Sequence, residues 1–80
     1  MNKEAIYTKL NEIFRNVFMD DEITLKPETY SADIEDWDSL MQILLLTEIE
    51  KAFGFKFDAK EAANMQNVGE MVDIILTKVQ

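Results

Sequence analysis

The 80-residue chain has no cysteine and no histidine. Without cysteine there is no disulfide, no thiolate nucleophile and no thiolate metal site. Without histidine, the commonest general base and the commonest metal ligand are both missing. A Ser-His-Asp triad within the chain is therefore excluded, as is a histidine-ligated metal, and metal ligation is not expected. No apolar run approaches the roughly 18 residues that a membrane span needs. The opening Met1-Asn2-Lys3-Glu4-Ala5 leads into an amphipathic pattern without a signal-peptide core, so the expected home is the cytoplasm. Positive charge is scarce, with eight Lys and Arg against sixteen Asp and Glu, a formal net charge of −8. That balance disfavours nucleic acid and anionic membranes and favours basic partner surfaces.

What is present is helical periodicity. The length fits one domain, 1–80. Asn2 is placed to cap a first helix, with Glu4 in its first turn. Ile6, Leu10, Ile13, Phe14, Val17 and Phe18 then recur at spacings of three and four, which predicts a helix over Lys3 to Phe18. Asp20-Asp21-Glu22 ends it, because acids are disfavoured at a helix C-terminus. A long loop, Met19 to Asp38, holds the only proline, Pro27. A loop of this length in a compact domain is either functional or a sign of a missed element. Ile23, Leu25, Tyr30, Ile34 and Trp37 are expected to pin it to the helices, with a turn near Pro27-Glu28-Thr29-Tyr30.

The second helix is predicted from Ser39 or Leu40 to Phe53, closed by Gly54. Leu45, Leu46, Ile49, Ala52 and Phe53 form one apolar stripe, and Leu40, Met41, Leu44 and Thr47 a second on another side. A small bundle cannot cover both, so the first faces the core and the second is left partly exposed. Phe55-Lys56-Phe57 is extended. Asp58-Ala59-Lys60-Glu61 is a capping box for a short helix to about Asn64. Asn67-Val68-Gly69-Glu70 opens the last helix, with Val68, Met71, Val72, Ile75, Leu76 and Val79 inward. Gly69 in its first turn weakens it slightly. The fold class is all-α, a small four-helix bundle of three longer helices and one short one, with a long loop between helices 1 and 2.

The acids gather before Ser39. Asp20, Asp21, Glu22, Glu28, Asp33, Glu35, Asp36 and Asp38 face only Lys26, so seven of the eight net negative charges lie between residues 20 and 38. A calcium loop at Asp33–Asp38 is disfavoured, because Trp37 and Asp38 occupy positions that need an oxygen ligand and a glycine. Ser39 itself starts a helix, where unpaired backbone N–H groups and the helix dipole favour an anion such as phosphate. Ser39-Leu40-Met41-Gln42 also fits a capping box with Gln42 reaching back, and as a bare pattern that is its commoner meaning.

Over essentially its whole length the chain resembles the acyl carrier proteins of the phosphopantetheine-binding family. Asp38-Ser39-Leu40 resembles the attachment motif, preceded by Trp37 as in many stand-alone carriers. Glu48-Ile49-Glu50-Lys51-Ala52-Phe53-Gly54-Phe55 resembles the family's second-helix end, and Asn67-Val68-Gly69-Glu70-Met71 its last-helix start. The resemblance implies a carrier and not an enzyme: 4'-phosphopantetheine on Ser39, installed from coenzyme A by a phosphopantetheinyl transferase. The arm's thiol then holds an acyl group as a thioester, loaded and consumed by acyltransferases, ligases or ketosynthases. Asp38 would flank the modified serine and help to coordinate the transferase's metal. Leu40, Met41, Leu44, Thr47 and Glu48 would dock partners, and the chain is expected to be a monomer. Met41, Leu44 and Lys51 stand where acids are common in fatty-acid carriers, which favours a specialised acyl-transfer pathway over the housekeeping role. The alternatives are an aminoacyl, peptidyl or D-alanyl carrier, or an unmodified helical interaction module.

Overall fold

In the computed structural model, residues 2–79 are described. They form helices α1 (Lys3–Phe18), α2 (Ser39–Phe53), α3 (Ala59–Asn64) and α4 (Val68–Val79), with one 3-10 turn, Ser31–Asp33, inside the long loop. The architecture is the expected all-α bundle, and no strand occurs among the described residues. Asn2 caps α1 by accepting a hydrogen bond from the Ala5 N–H at 2.8 Å. At the other end Met19 adopts a left-handed conformation (φ 54°) and donates its N–H to Arg15 O. The helix stops where expected, and the stop is this backbone turn followed by the acids. Asp58 and Glu61 form the expected reciprocal capping box at α3.

The core is built from one stripe of each long helix. Ile6, Leu10 and Phe14 come from α1, Leu45 and Ile49 from α2, and Val68, Met71, Val72 and Ile75 from α4. The short α3 contributes no buried residue. Ile23 and Leu25 add the loop's own anchors, while Ile34 and Trp37 pack against the core partly buried. Tyr30 does not pin the loop as expected: it is 48% exposed. Thr29, a residue the apolar pattern passes over, is buried instead, and its hydroxyl accepts from the Lys26 N–H at 2.9 Å. That bond closes the expected turn around Pro27. On α1, Tyr7 is partly buried, and loss of solvation raises its hydroxyl pKa above the ordinary value, with Lys3 opposing the shift.

Polar contacts fix the loop against two helices. Arg15 Nε donates to Ile23 O at 2.7 Å, and Asn11 Oδ1 accepts from the Leu25 N–H at 2.8 Å. On the other side, Thr29 O and Pro27 O accept from the N–H groups of Val68 (2.8 Å) and Gly69 (2.9 Å). The loop thus satisfies two backbone donors that α4's first turn cannot pair internally. Gly69 is needed for this: a Cβ there would lie 3.0 Å from Pro27 O. Its cost in helix propensity is offset by the close approach of the loop. With the loop held at α1 and α4, its last residues are delivered to the start of α2.

Candidate functional site

The approach to Ser39 is a tight turn. Asp36 is left-handed (φ 72°), and the Trp37 N–H donates to Ile34 O. Trp37 then folds inward, its ring 5.3 Å from Phe14 in an edge-on contact and 6.1 Å from Phe18. Its indole Nε1 donates to Gln42 Oε1 at 2.6 Å. This single tryptophan ties the loop end both to the core and to the first turn of α2.

The expected capping box at Ser39 is not formed. Asp38 is the N-cap, its Oδ1 accepting from the Met41 N–H at 2.9 Å, and Gln42 turns away to Trp37. The physical reason is charge: a carboxylate at the positive end of a helix is a stronger acceptor than a hydroxyl. Ser39 is thereby displaced to the first helical position. It is exposed, and no hydrogen bond to its Oγ is found among the described residues. The N–H groups of Ser39 and Leu40 also have no partner among the described residues. The result is a free hydroxyl beside two free donors at a helix start.

Around it lies apolar surface. Leu40 is 74% exposed, Ile43 66% and Leu44 46%. Thr47 is exposed one turn on, with its hydroxyl bonded to Ile43 O. Leu45 and Ile49 are buried, so α2 does turn one stripe inward and leave another outside. The expected membership shifts by one residue. Met41 is only half-exposed, and Ile43, which the sequence pattern left out of both stripes, takes its place in the open. Glu48 is half-buried, 4.0 Å from the exposed Lys51. Beside Ser39 a cleft of about 360 Å³ is bounded by Ser31, Trp37, Gln42, Met65, Gln66 and Asn67. The residues after Met65 come from the α3–α4 connection. No sequence signal links them to Ser39, since only packing brings them there.

Comparison with known proteins decides the family. A family model described as a phosphopantetheine attachment site matches residues 9–75. The acyl carrier protein of Rubrobacter xylanophilus is 33% identical over 76 residues, covering 95% of this chain and 94% of that protein. The chain belongs to the acyl carrier proteins. The acyl carrier protein of Acidothermus cellulolyticus is likewise 33% identical, over 94% of this chain and 89% of its own length. The solution structure of the holo acyl carrier protein from Geobacter metallireducens superposes with a TM-score of 0.87 at 38% identity. It covers 91% of this chain and 84% of that one. As an acyl carrier protein, this chain is acted on by enzymes and is not itself one. Its prosthetic group is covalent 4'-phosphopantetheine. The residues at the start of α2 suit such a group: an exposed hydroxyl free to be esterified, helix-start donors for a phosphate, and apolar surface for a partner. Asp38 is the opposing charge next to Ser39 in the chain, and its carboxylate is engaged as the cap.

Proposed function

We propose that Ser39 is the attachment residue of this acyl carrier protein and that α2 from Leu40 to Glu48 is its docking face. The observation that carries the reading is the exposed, unpaired Ser39 hydroxyl within Asp38-Ser39-Leu40, freed because Asp38 takes the cap. In attachment, Ser39 Oγ displaces adenosine 3',5'-bisphosphate from coenzyme A. The hydroxyl proton passes to a base on the transferase, since this chain has no histidine to accept it. In this reading Asp38, adjacent and exposed, helps to coordinate the transferase's metal while its Oδ1 caps the helix start. The attached arm supplies a thiol that holds the acyl group as a thioester.

The docking face supports a specialised acyl-transfer pathway. Leu40, Ile43, Leu44 and Thr47 make an exposed, largely apolar strip, with Met41 and Glu48 at its margins. Its first turn holds no acid. A partner for such a strip offers an apolar groove, with basic groups placed to meet the acids of the preceding loop. The reading includes a single carrier domain over 1–80, acting in the cytoplasm with a phosphopantetheinyl transferase and acyl-loading and acyl-transfer enzymes. No helix among the described residues is long and apolar enough to cross a membrane.

Intact-protein mass spectrometry tests the attachment. With coenzyme A and a broad-specificity transferase, the wild type should gain the mass of one phosphopantetheine and Ser39→Ala should gain none. Modification of the alanine variant would place the arm on another residue.

A further inference from the structure

Helices α1 and α2 are stopped by the same backbone device with different residues. α2 stops at Gly54, whose left-handed backbone (φ 75°) suits a residue without a Cβ. α1 stops at Met19, which takes the same region (φ 54°) with a long side chain attached. Among the described residues the other non-glycine at positive φ is Asp36. Aspartate tolerates that region because its short polar side chain can bond locally. Methionine has no such help, so its backbone is strained, and a glycine would stop the helix with less strain.

The Met19 side chain gains nothing within the fold. It is 90% exposed, the highest value among the exposed large apolar residues described. Val17 and Phe18 pack against the core, and Met19 does not. A single exposed apolar side chain is ordinary. One kept on a strained backbone, where it covers no core, points to a contact outside the chain.

Position and charge narrow that contact. The Phe18 ring lies 6.1 Å from that of Trp37. Met19 directly follows Phe18, and Ser39 stands two residues after Trp37, so the end of α1 and the start of α2 share one end of the bundle. Asp20, Asp21 and Glu22 follow Met19, all exposed and without an ion pair among the described residues. The Glu22 N–H donates to Asp20 Oδ1 at 3.0 Å, which holds these acids in a turn directly after the methionine. An apolar tip with an acidic border fits a pocket that is apolar inside and cationic at its rim. The chemistry selects the partner. Acyl-loading and acyl-transfer enzymes react with the thiol at the far tip of the arm. The transferase reacts at Ser39 Oγ itself, so its surface must close around this end of the bundle.

We propose that Met19 is an anchor for the phosphopantetheinyl transferase, entering an apolar pocket whose basic rim meets Asp20, Asp21 and Glu22. The contact lies on α1, apart from the α2 docking face, and the proposal rests on Ser39 as the attachment residue.

The test uses the full-length apo protein with coenzyme A and a broad-specificity phosphopantetheinyl transferase. Thermal melts and the kinetics of arm transfer are read on wild type, Met19→Gly, Met19→Gln and Met19→Leu. Met19→Gly should raise Tm by about 4 °C, because the strain is relieved. It should also lower kcat/KM by about tenfold through KM, with kcat nearly unchanged, because a binding contact is lost. A purely structural role would move stability and rate in the same direction. Met19→Gln keeps the length and the strained backbone but not the apolar tip, and should lose about as much rate as Met19→Gly. Met19→Leu keeps an apolar tip and should stay within about twofold of wild type. Rates that ignore Met19, a loss in Met19→Gly that Met19→Gln does not share, or a Tm that fails to rise in Met19→Gly each overturn the proposal. Peptide mapping of the product separates this from the attachment reading. An arm found away from Ser39 overturns both, whereas an arm on Ser39 at a rate indifferent to Met19 overturns the anchor alone.

Discussion

Asp38 and Ser39 divide two roles that either residue type can perform. The carboxylate caps α2, and the hydroxyl is left without an intramolecular partner. Stability should therefore respond to the two residues differently. Asp38→Ala removes the cap and should cost about 1 kcal/mol. Ser39→Ala removes an exposed, unbonded hydroxyl and should stay within about 0.5 kcal/mol of wild type. Urea melts of the two variants make the comparison, and an equal loss from both would return the cap to Ser39. Trp37 acts at the same scale. Its edge-on contact with Phe14 and its bond to Gln42 fix the residue two positions before the serine. Ser39 is accordingly held by a partly buried ring and a cap, not left to a free loop.

Two elements carry predictions of opposite kind. On α2, Leu44 and Leu45 are neighbours in sequence but differ in burial, 46% and 0% exposed. Leu44→Glu should change stability by about 0.5 kcal/mol or less. It should weaken acyl transfer by the native partner while leaving the arm attachable. Leu45→Glu places an unpaired charge among Ile49 and the α1 stripe and should cost about 4 kcal/mol or more. Thermal melts separate them, and a large drop for Leu44→Glu would make it a core residue. At α4 the prediction runs against helix propensity. Gly69→Ala would gain about 1 kcal/mol on an open helix. Here the added Cβ meets Pro27 O at 3.0 Å, on a carbonyl already bonded to the Gly69 N–H. Overpacking of this kind costs about 1–3 kcal/mol, so the net change should be a loss of about 1 kcal/mol. A more stable Gly69→Ala would mean that the loop yields without strain.

For the whole molecule, charge and apolar contact are segregated. Seven of the eight net negative charges lie between residues 20 and 38, and the apolar strip begins just beyond them. The acids act at long range, and that attraction is screened beyond about 8 Å at physiological salt. Transferase and loading rates should therefore fall as sodium chloride rises, mainly through slower association. Rates that are flat from low to high salt would make the acids ordinary solubilising surface. Much of this organisation was legible in the sequence. Periodicity placed the three long helices, because each buries a stripe whose spacing matches the helical turn. The family motif singled out Ser39, and the cap at Asp58 and the stop at Gly54 followed from local backbone chemistry. Other features depended on residues far apart in the chain. The sequence could not choose between two adjacent capping side chains, Asp38 and Ser39, because both patterns are locally sound. Nor could it show that Ile43 is open and Met41 half-covered, since a helix apolar on most sides has no orientation of its own. The need for a glycine at residue 69 comes from Pro27, and the cleft comes from placing Gln66 and Asn67 beside Gln42. Local periodicity and capping determined the elements; only tertiary packing decided which side chains and which donors were left free around Ser39.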